Sequence, residues 1–169
     1  MTIKNLLNVK NLLTVKTLFV TIGNGKFDLL VKEVDRLKKA GIIKEDVVIQ
    51  IGLGRYKPEY CQWFPFEPSL EKYYKKAELI ISHGGPGTVF EILCLGKKLI
   101  AVPNRERTDP RHQVEYLQAI AKETSSLIYC DKVSLLESCL EKAKTFKFKK
   151  YHQPSCHIHK EIIKFLGTK

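Results

Sequence analysis

Ser82-His83-Gly84-Gly85-Pro86-Gly87-Thr88 closes an apolar run, Leu79-Ile80-Ile81, and leads into a helix-like stretch from Gly87 to Leu95. A second apolar strand, Leu99-Ile100-Ala101-Val102-Pro103, follows. It passes through Asn104 to Asp109-Pro110-Arg111-His112-Gln113, where the next helix begins. Glycines between a strand and a helix let the backbone approach a ligand, and the N–H groups at a helix start attract anions. Two such loops in consecutive β-to-α units form one crevice at the carboxyl edge of a parallel sheet. The pattern predicts a site for a diphosphate with polar groups on either side.

The same alternation extends in both directions. Leu18-Phe19-Val20-Thr21-Ile22 reads as a strand ending at Gly23, and helical spacing over 27–39 turns Leu30, Val31, Val34 and Leu37 inward. Val47-Val48-Ile49-Gln50-Ile51 is a buried strand ending at Gly52-Leu53-Gly54, and residues 61–66 suggest a short one. Pro68-Ser69-Leu70 opens a helix through Lys76. After a helix to Lys122 come a strand at Leu127-Ile128-Tyr129, a helix from Val133 to Lys144 and a terminal helix from Cys156 to Leu166. This predicts an α/β fold, a Rossmann-like, doubly wound parallel sheet with helices on both faces. No interdomain linker is visible. The chain divides into an N-terminal extension (1–16), one nucleotide-sugar-sized domain (17–150) and a C-terminal helical segment (151–169).

A chain of 169 residues supports one good core. Its net charge of +11 is concentrated at the ends: lysines 4, 10, 16 and 26 precede the first acid, Asp28, and residues 143–169 hold seven lysines and one acid, Glu161. Such ends suit an anionic membrane surface, an acidic partner or nucleic acid, and equally a solvated surface. No aromatic-basic interleaving or reader motif supports nucleic-acid binding. The five cysteines contain no Cys-x-x-Cys, so no disulfide framework is expected and a reducing compartment fits; Cys94, within Ile92-Leu93-Cys94-Leu95, reads as a small core residue. No apolar run is long enough for a membrane span, and the N-terminus makes no convincing signal peptide. It carries instead a period-six repeat, Lys4-Asn5-Leu6-Leu7, Lys10-Asn11-Leu12-Leu13 and Lys16-Thr17-Leu18-Phe19, with Ile3, Leu6, Leu7, Val9 and Leu13 sharing one helical face.

Several motifs fail on inspection. Gly23-Asn24-Gly25-Lys26-Phe27-Asp28 has Asp28 where a dinucleotide fingerprint needs its third glycine, and there is no Walker A loop. His152, Cys156, His157 and His159 match no standard zinc spacing, so no metal site is expected. Thr88-Val89-Phe90-Glu91 permits two readings. It could be a capping box, with Thr88 and Glu91 satisfying backbone N–H groups, or Glu91 could face the crevice and accept hydrogen bonds from ribose hydroxyls.

Ser82 to Thr88, Glu91, Gly96-Lys97, Pro103-Asn104, Asp109 and His112-Gln113 together resemble the donor-binding half of GT-B glycosyltransferases of family 28. The resemblance covers residues 17–146 and is strongest from 78 to 118. It is closest to small donor-binding subunits of two-part enzymes, which serve the dolichol pathway or bacterial and archaeal polysaccharide synthesis. It implies transfer from a UDP-sugar to a lipid-linked acceptor, with N-acetylglucosamine as the expected sugar and galactose or glucuronate as the alternatives. A non-catalytic nucleotide-sugar-binding module is a further alternative. Gly84, Gly85, Gly87 and Thr88 would hold the diphosphate and Glu91 the ribose. Asn104, His112 and Gln113 would face the donor sugar, Gly23 and Asn24 would line the cleft, and the uracil would lie near the loop after Ile51 and Phe64-Pro65-Phe66. No cofactor and no metal are implied. No residue here reads as the general base, which is expected on a membrane-attached, acceptor-binding partner. The terminal helix would dock there and hold the chain at the cytosolic face of a membrane.

Overall fold

The computed structural model describes residues 16–106, 110–155 and 157–167. Apart from Lys16, the N-terminal extension with its repeat lies outside the described residues, as do Asp109 and Cys156. Among the described residues, six strands form one all-parallel sheet: β1 (Thr17–Thr21), β2 (Asp46–Gln50), β3 (Gln62–Phe64), β4 (Ala77–His83), β5 (Lys98–Val102) and β6 (Ile128–Tyr129). Their spatial order is β3-β2-β1-β4-β5-β6. The chain starts in the middle, runs to one edge through β2 and β3, then returns to the other side of β1. The reversal between β1 and β4 is a topological switch point, where the loops after neighbouring strands diverge to opposite faces.

Parallel strands need crossover connections, and most of these are helical. They are α1 (Asp28–Lys39), α2 (Glu71–Lys76), α3 (Pro86–Cys94) and α4 (Pro110–Thr124), followed by α5 (Leu136–Thr145) and α6 (Ile158–Gly167). Side chains on a strand alternate between faces, and the core divides accordingly. Leu18, Val20, Val47, Ile49, Ile81, Ile100 and Val102 pack with α1 and Leu136 on one face. Phe19, Ile80, Leu99 and Ala101 pack with Tyr74, Val89, Ile92 and Leu117 on the other. The four inward positions expected of α1 are all buried.

Two local expectations are corrected. Cys94 is exposed, because the helical period gives the core positions to Ile92 and Leu93. The segment expected as one helix from Val133 opens as a 3-10 turn, Val133–Leu135, since Leu135 at φ −95°, ψ 3° interrupts the α ladder before α5. Every side chain described in the terminal helix α6 is exposed.

The apolar pattern of α1 gives no reason to expect Asp35 in the interior, yet it is only 2% exposed. Its carboxylate accepts from the Tyr56 hydroxyl (2.8 Å) and from the backbone N–H groups of Glu59 (3.1 Å) and Tyr60 (2.8 Å), pinning the irregular chain between β2 and β3 to α1. Burial by itself would raise its pKa. The bonds from Glu59, Tyr56 and Tyr60 together outweigh that and hold it below the usual carboxylate value. The Asp35 bond in turn pushes the Tyr56 hydroxyl up to about 12. Asp35→Ala should cost on the order of 3 kcal/mol at neutral pH, because three donors lose a charged acceptor. A folded pKa below the unfolded one contributes stability above the unfolded value, and that stability is lost as pH falls through the folded value. Urea titrations at neutral and acid pH should therefore show the gap between wild type and Asp35→Ala narrowing on acidification.

Candidate functional site

The switch point carries a cleft of about 340 Å³ at the carboxyl edge of the sheet, within the usual range for small-molecule sites. It is lined by Gly23 and Asn24 after β1, Gln50 of β2, the segment Phe66–Leu70, Tyr74 of α2, His83 of β4, and Thr88 and Glu91 of α3. A cavity of about 300 Å³ at the opposite edge includes Lys16, Glu78, Lys98 and Lys144. Its lysines pair with carboxylates, as in Lys16 with Glu78 (3.3 Å), and no glycine loop lines it.

The imidazole of His83 forms one wall of the switch-point cleft and explains two of its glycines. A Cβ on Gly23 would stand 2.7 Å from His83 Cε1, and a Cβ on Gly85 would overlap His83 Nε2. The ring is thus held between the turn after β1 and the start of α3. Gly84 is packed from behind by α4. A Cβ there would meet Gln113 Oε1 at 2.8 Å and Leu117 Cδ1 at 2.9 Å, and its carbonyl accepts from the Tyr116 hydroxyl at 2.6 Å. Burial pushes the Tyr116 hydroxyl pKa up, so it remains a donor.

The helix begins earlier than expected. Gly85 is the N-cap of α3, Pro86 its first residue, and no side chain caps it. The capping-box reading is therefore wrong: Thr88 lies inside the first turn and Glu91 further along the helix. The first rung of the ladder is Val89 N–H to the Gly85 carbonyl at 3.0 Å. The N–H groups of Gly87 and Thr88 precede it, and no acceptor among the described residues takes them. The space beside Gly87 is open, with nothing within 4 Å of the point where a Cβ would stand. A helix start with open N–H groups and a partial positive charge is an anion site in chemical terms. Further along the cleft, the exposed Glu91 carboxylate lies 3.5 Å from the Tyr74 hydroxyl. Burial, then Glu91, pushes the pKa of Tyr74 up, which keeps it a neutral donor toward that carboxylate.

Gly23, Asn24, Thr88 and Glu91 therefore meet in one cleft, whereas Gly84, Gly85 and Gly87 are not among its lining residues and precede Thr88 at the start of α3. Asn104 and Gln113 sit behind it, 4% and 3% exposed. The Asn104 N–H donates to Gln113 Oε1 (2.8 Å), and Asn104 Nδ2 donates to the Lys26 carbonyl (2.7 Å), tying the loop after β5 to the turn after β1. His112 is exposed on α4 with its ring 6.3 Å from Tyr116. Phe66 lines the cleft, whereas Phe64 stacks on Tyr73 at 4.7 Å. The loop after Ile51 pairs with the Gly23–Gly25 turn through Leu53 N–H to the Gly25 carbonyl instead of lining the cleft. Sequence reasoning misses Gln50 and Tyr74. A polar residue closing an otherwise apolar strand, as Thr21 and Gln50 each do, is the available signal for the first.

Among the described residues no group of three His, Cys, Asp or Glu is arranged to hold a metal ion. No described helix is long and apolar enough to cross a membrane.

Comparison with known proteins adds a lineage to this geometry. The model of the glycosyltransferase family 28 C-terminal domain matches residues 17–165. UDP-N-acetylglucosamine transferase subunit ALG13 of Homo sapiens is 35% identical over 124 residues, which is 67% of this chain and 11% of the human protein. The subunit of the same name from Candida albicans is 29% identical over 135 residues, 80% of this chain and 42% of that one. The chain thus spans less than half the length of these relatives. The NMR solution structure of ALG13 superposes with a TM-score of 0.59 at 20% identity, covering 90% of this chain and 96% of that one, which shows a shared fold.

Proposed function

The chain belongs to the glycosyltransferase family 28 C-terminal domain family, and on that basis we propose that it is the donor-binding subunit of a two-part UDP-N-acetylglucosamine transferase. The observation that carries this reading is the cleft at the switch point, where an open helix start and a carboxylate one turn further on face the same space. A diphosphate suits the former and ribose hydroxyls the latter.

In this reading the diphosphate of the UDP-sugar lies at Gly85, Gly87 and Thr88, with Gly84 holding the loop against α4. Glu91 accepts from the ribose, and Phe66 offers a surface for the base. Asn104 and Gln113 position the loop that meets the donor sugar, with His112 at its rim. An acceptor hydroxyl attacks the anomeric carbon, the bond to the diphosphate oxygen breaks, and UDP leaves with the added negative charge. Backbone N–H groups already aimed at that charge lower the barrier without reorganising, each worth roughly 3 kcal/mol. The chemistry calls for no metal and no cofactor from this chain. The proton of the acceptor goes to a base on a partner subunit that binds a lipid-linked acceptor at a membrane surface. The exposed apolar side chains of α6, Ile158, Ile162, Ile163, Phe165 and Leu166, support a docking role for that helix.

Ligand-observed NMR on the full chain tests the donor site. UDP-N-acetylglucosamine should bind without added metal and ahead of UDP-galactose, UDP-glucuronate and ATP. Preference for ATP, or binding of no nucleotide at all, would sink the reading. A preference for another UDP-sugar would keep the donor site and replace the sugar.

A further inference from the structure

Thr21 and Gln50 end the neighbouring strands β1 and β2 and stand opposite each other in register. Both are buried, at 0% and 2% exposure. The backbone N–H of Gly23 donates to Thr21 Oγ1 at 3.2 Å. That hydroxyl's own proton is then directed elsewhere, and its bond of 2.6 Å runs to Gln50 Oε1. The direction of this relay orients the amide. The carbonyl end of Gln50 faces Thr21, and the NH2 end faces away from it. Gln50 Nε2 makes no hydrogen bond among the described residues, although the side chain lines the cleft with Gly23, Tyr74, His83 and Glu91. The amide nitrogen is not sealed in the interior: it opens onto the cleft as a donor available to whatever occupies that space.

We infer that Gln50 is a ligand-binding residue whose Nε2 donates to an acceptor oxygen of a nucleoside diphosphate seated in this cleft. The inference rests on the donor-site reading above. An NH2 group recognises acceptors only, so the ligand atom is an acceptor oxygen of the nucleoside or of the diphosphate. Glu91, an acceptor, and Gln50, a donor, then read opposite hydrogen-bonding groups of one ligand. The Thr21 relay also links that contact to the turn at Gly23, so the amide is fixed before the ligand arrives and little rotamer freedom is lost on binding.

Gln50→Glu is the sharpest test, because it keeps the shape and still accepts the Thr21 hydroxyl while replacing the donor by a charged acceptor. Gln50→Met removes the donor without adding charge and serves if the glutamate variant does not fold. Binding of UDP and of uridine to the full-length variants is measured by ligand-observed NMR beside their melting curves. A folded variant should bind UDP at least about tenfold more weakly, the equivalent of one lost hydrogen bond. An equal loss for uridine assigns the contact to the nucleoside, and a loss for UDP alone assigns it to the diphosphate. Unchanged UDP affinity in a folded variant overturns the inference and leaves the donor site standing. If the wild-type chain binds neither compound, the donor-site reading itself fails, and the inference with it.

Discussion

Glu91→Ala should reduce UDP-sugar affinity by on the order of 100-fold while leaving the melting temperature nearly unchanged. Two ribose hydroxyls donating to one carboxylate make charge-assisted bonds of roughly 1.5–3 kcal/mol each, and deleting the carboxylate loses both. The fold should not register the change. Glu91 is exposed and caps nothing, and among the described residues its carboxylate accepts one hydrogen bond, the 3.5 Å approach of the Tyr74 hydroxyl. Surface substitutions of this kind shift stability by no more than about 0.5 kcal/mol. Glu91→Gln keeps the acceptor oxygen without its charge and should fall between the two, at roughly a tenfold loss. Titration of both variants alongside differential scanning calorimetry separates the roles. A large drop in melting temperature with unchanged affinity per folded molecule would make Glu91 a structural residue.

Among Gly→Ala substitutions at the described glycines, Gly52→Ala should give the largest loss of stability. Gly52 has φ +53°, and a Cβ there would stand 2.6 Å from the Gly23 carbonyl oxygen and equally against that of Gly25. The left-handed conformation costs a residue with a Cβ roughly 1–2 kcal/mol, and the obstructing atoms are backbone, which cannot swing aside. Adding about 1–3 kcal/mol for overpacking gives a total of about 2–5 kcal/mol. For a domain of this size that is a fall in melting temperature on the order of 10 °C. Gly41→Ala is the matched control. Its φ is +71° but nothing lies within 4 Å of the added carbon, so only the conformational cost remains. Because the displaced turn carries Gly23 and Asn24, Gly52→Ala should also weaken nucleotide binding by more than its population of unfolded chain explains. Equal melting temperatures for the two variants would refute the steric account.

The fold is legible in the sequence because the sheet is buried on both faces. Runs such as Val47-Val48-Ile49 and Leu99–Val102 are continuously apolar, and amphipathic stretches such as Leu30 to Leu37 fit the crossover helices between them. The glycine loop is legible for a similar reason, since a strand that ends in Gly84-Gly85-Pro86-Gly87 has few other uses. What escapes is contact between distant segments. Nothing in the α1 pattern says that Asp35 will be met by the backbone of residues 59 and 60. Nothing local says that Gln113 will close on Asn104 behind the cleft, or that Tyr116 will take the Gly84 carbonyl and leave the first turn of α3 open. The capping box misleads because its spacing is a local signal. The actual helix start is set by Pro86, two residues earlier.

The central place of β1 has a consequence for how the chain is made. β1 precedes the other described strands in the chain, yet it is flanked by β2 on one side and β4 on the other. Its pairing with β2 can form once residue 50 has emerged, but its second edge waits for residues 77–83. For that interval the nascent chain presents an unpaired and strongly apolar strand, Leu18-Phe19-Val20, to its surroundings. At roughly 5–20 residues per second the exposure lasts for seconds, an interval in which an unpaired apolar strand edge is open to association with other chains.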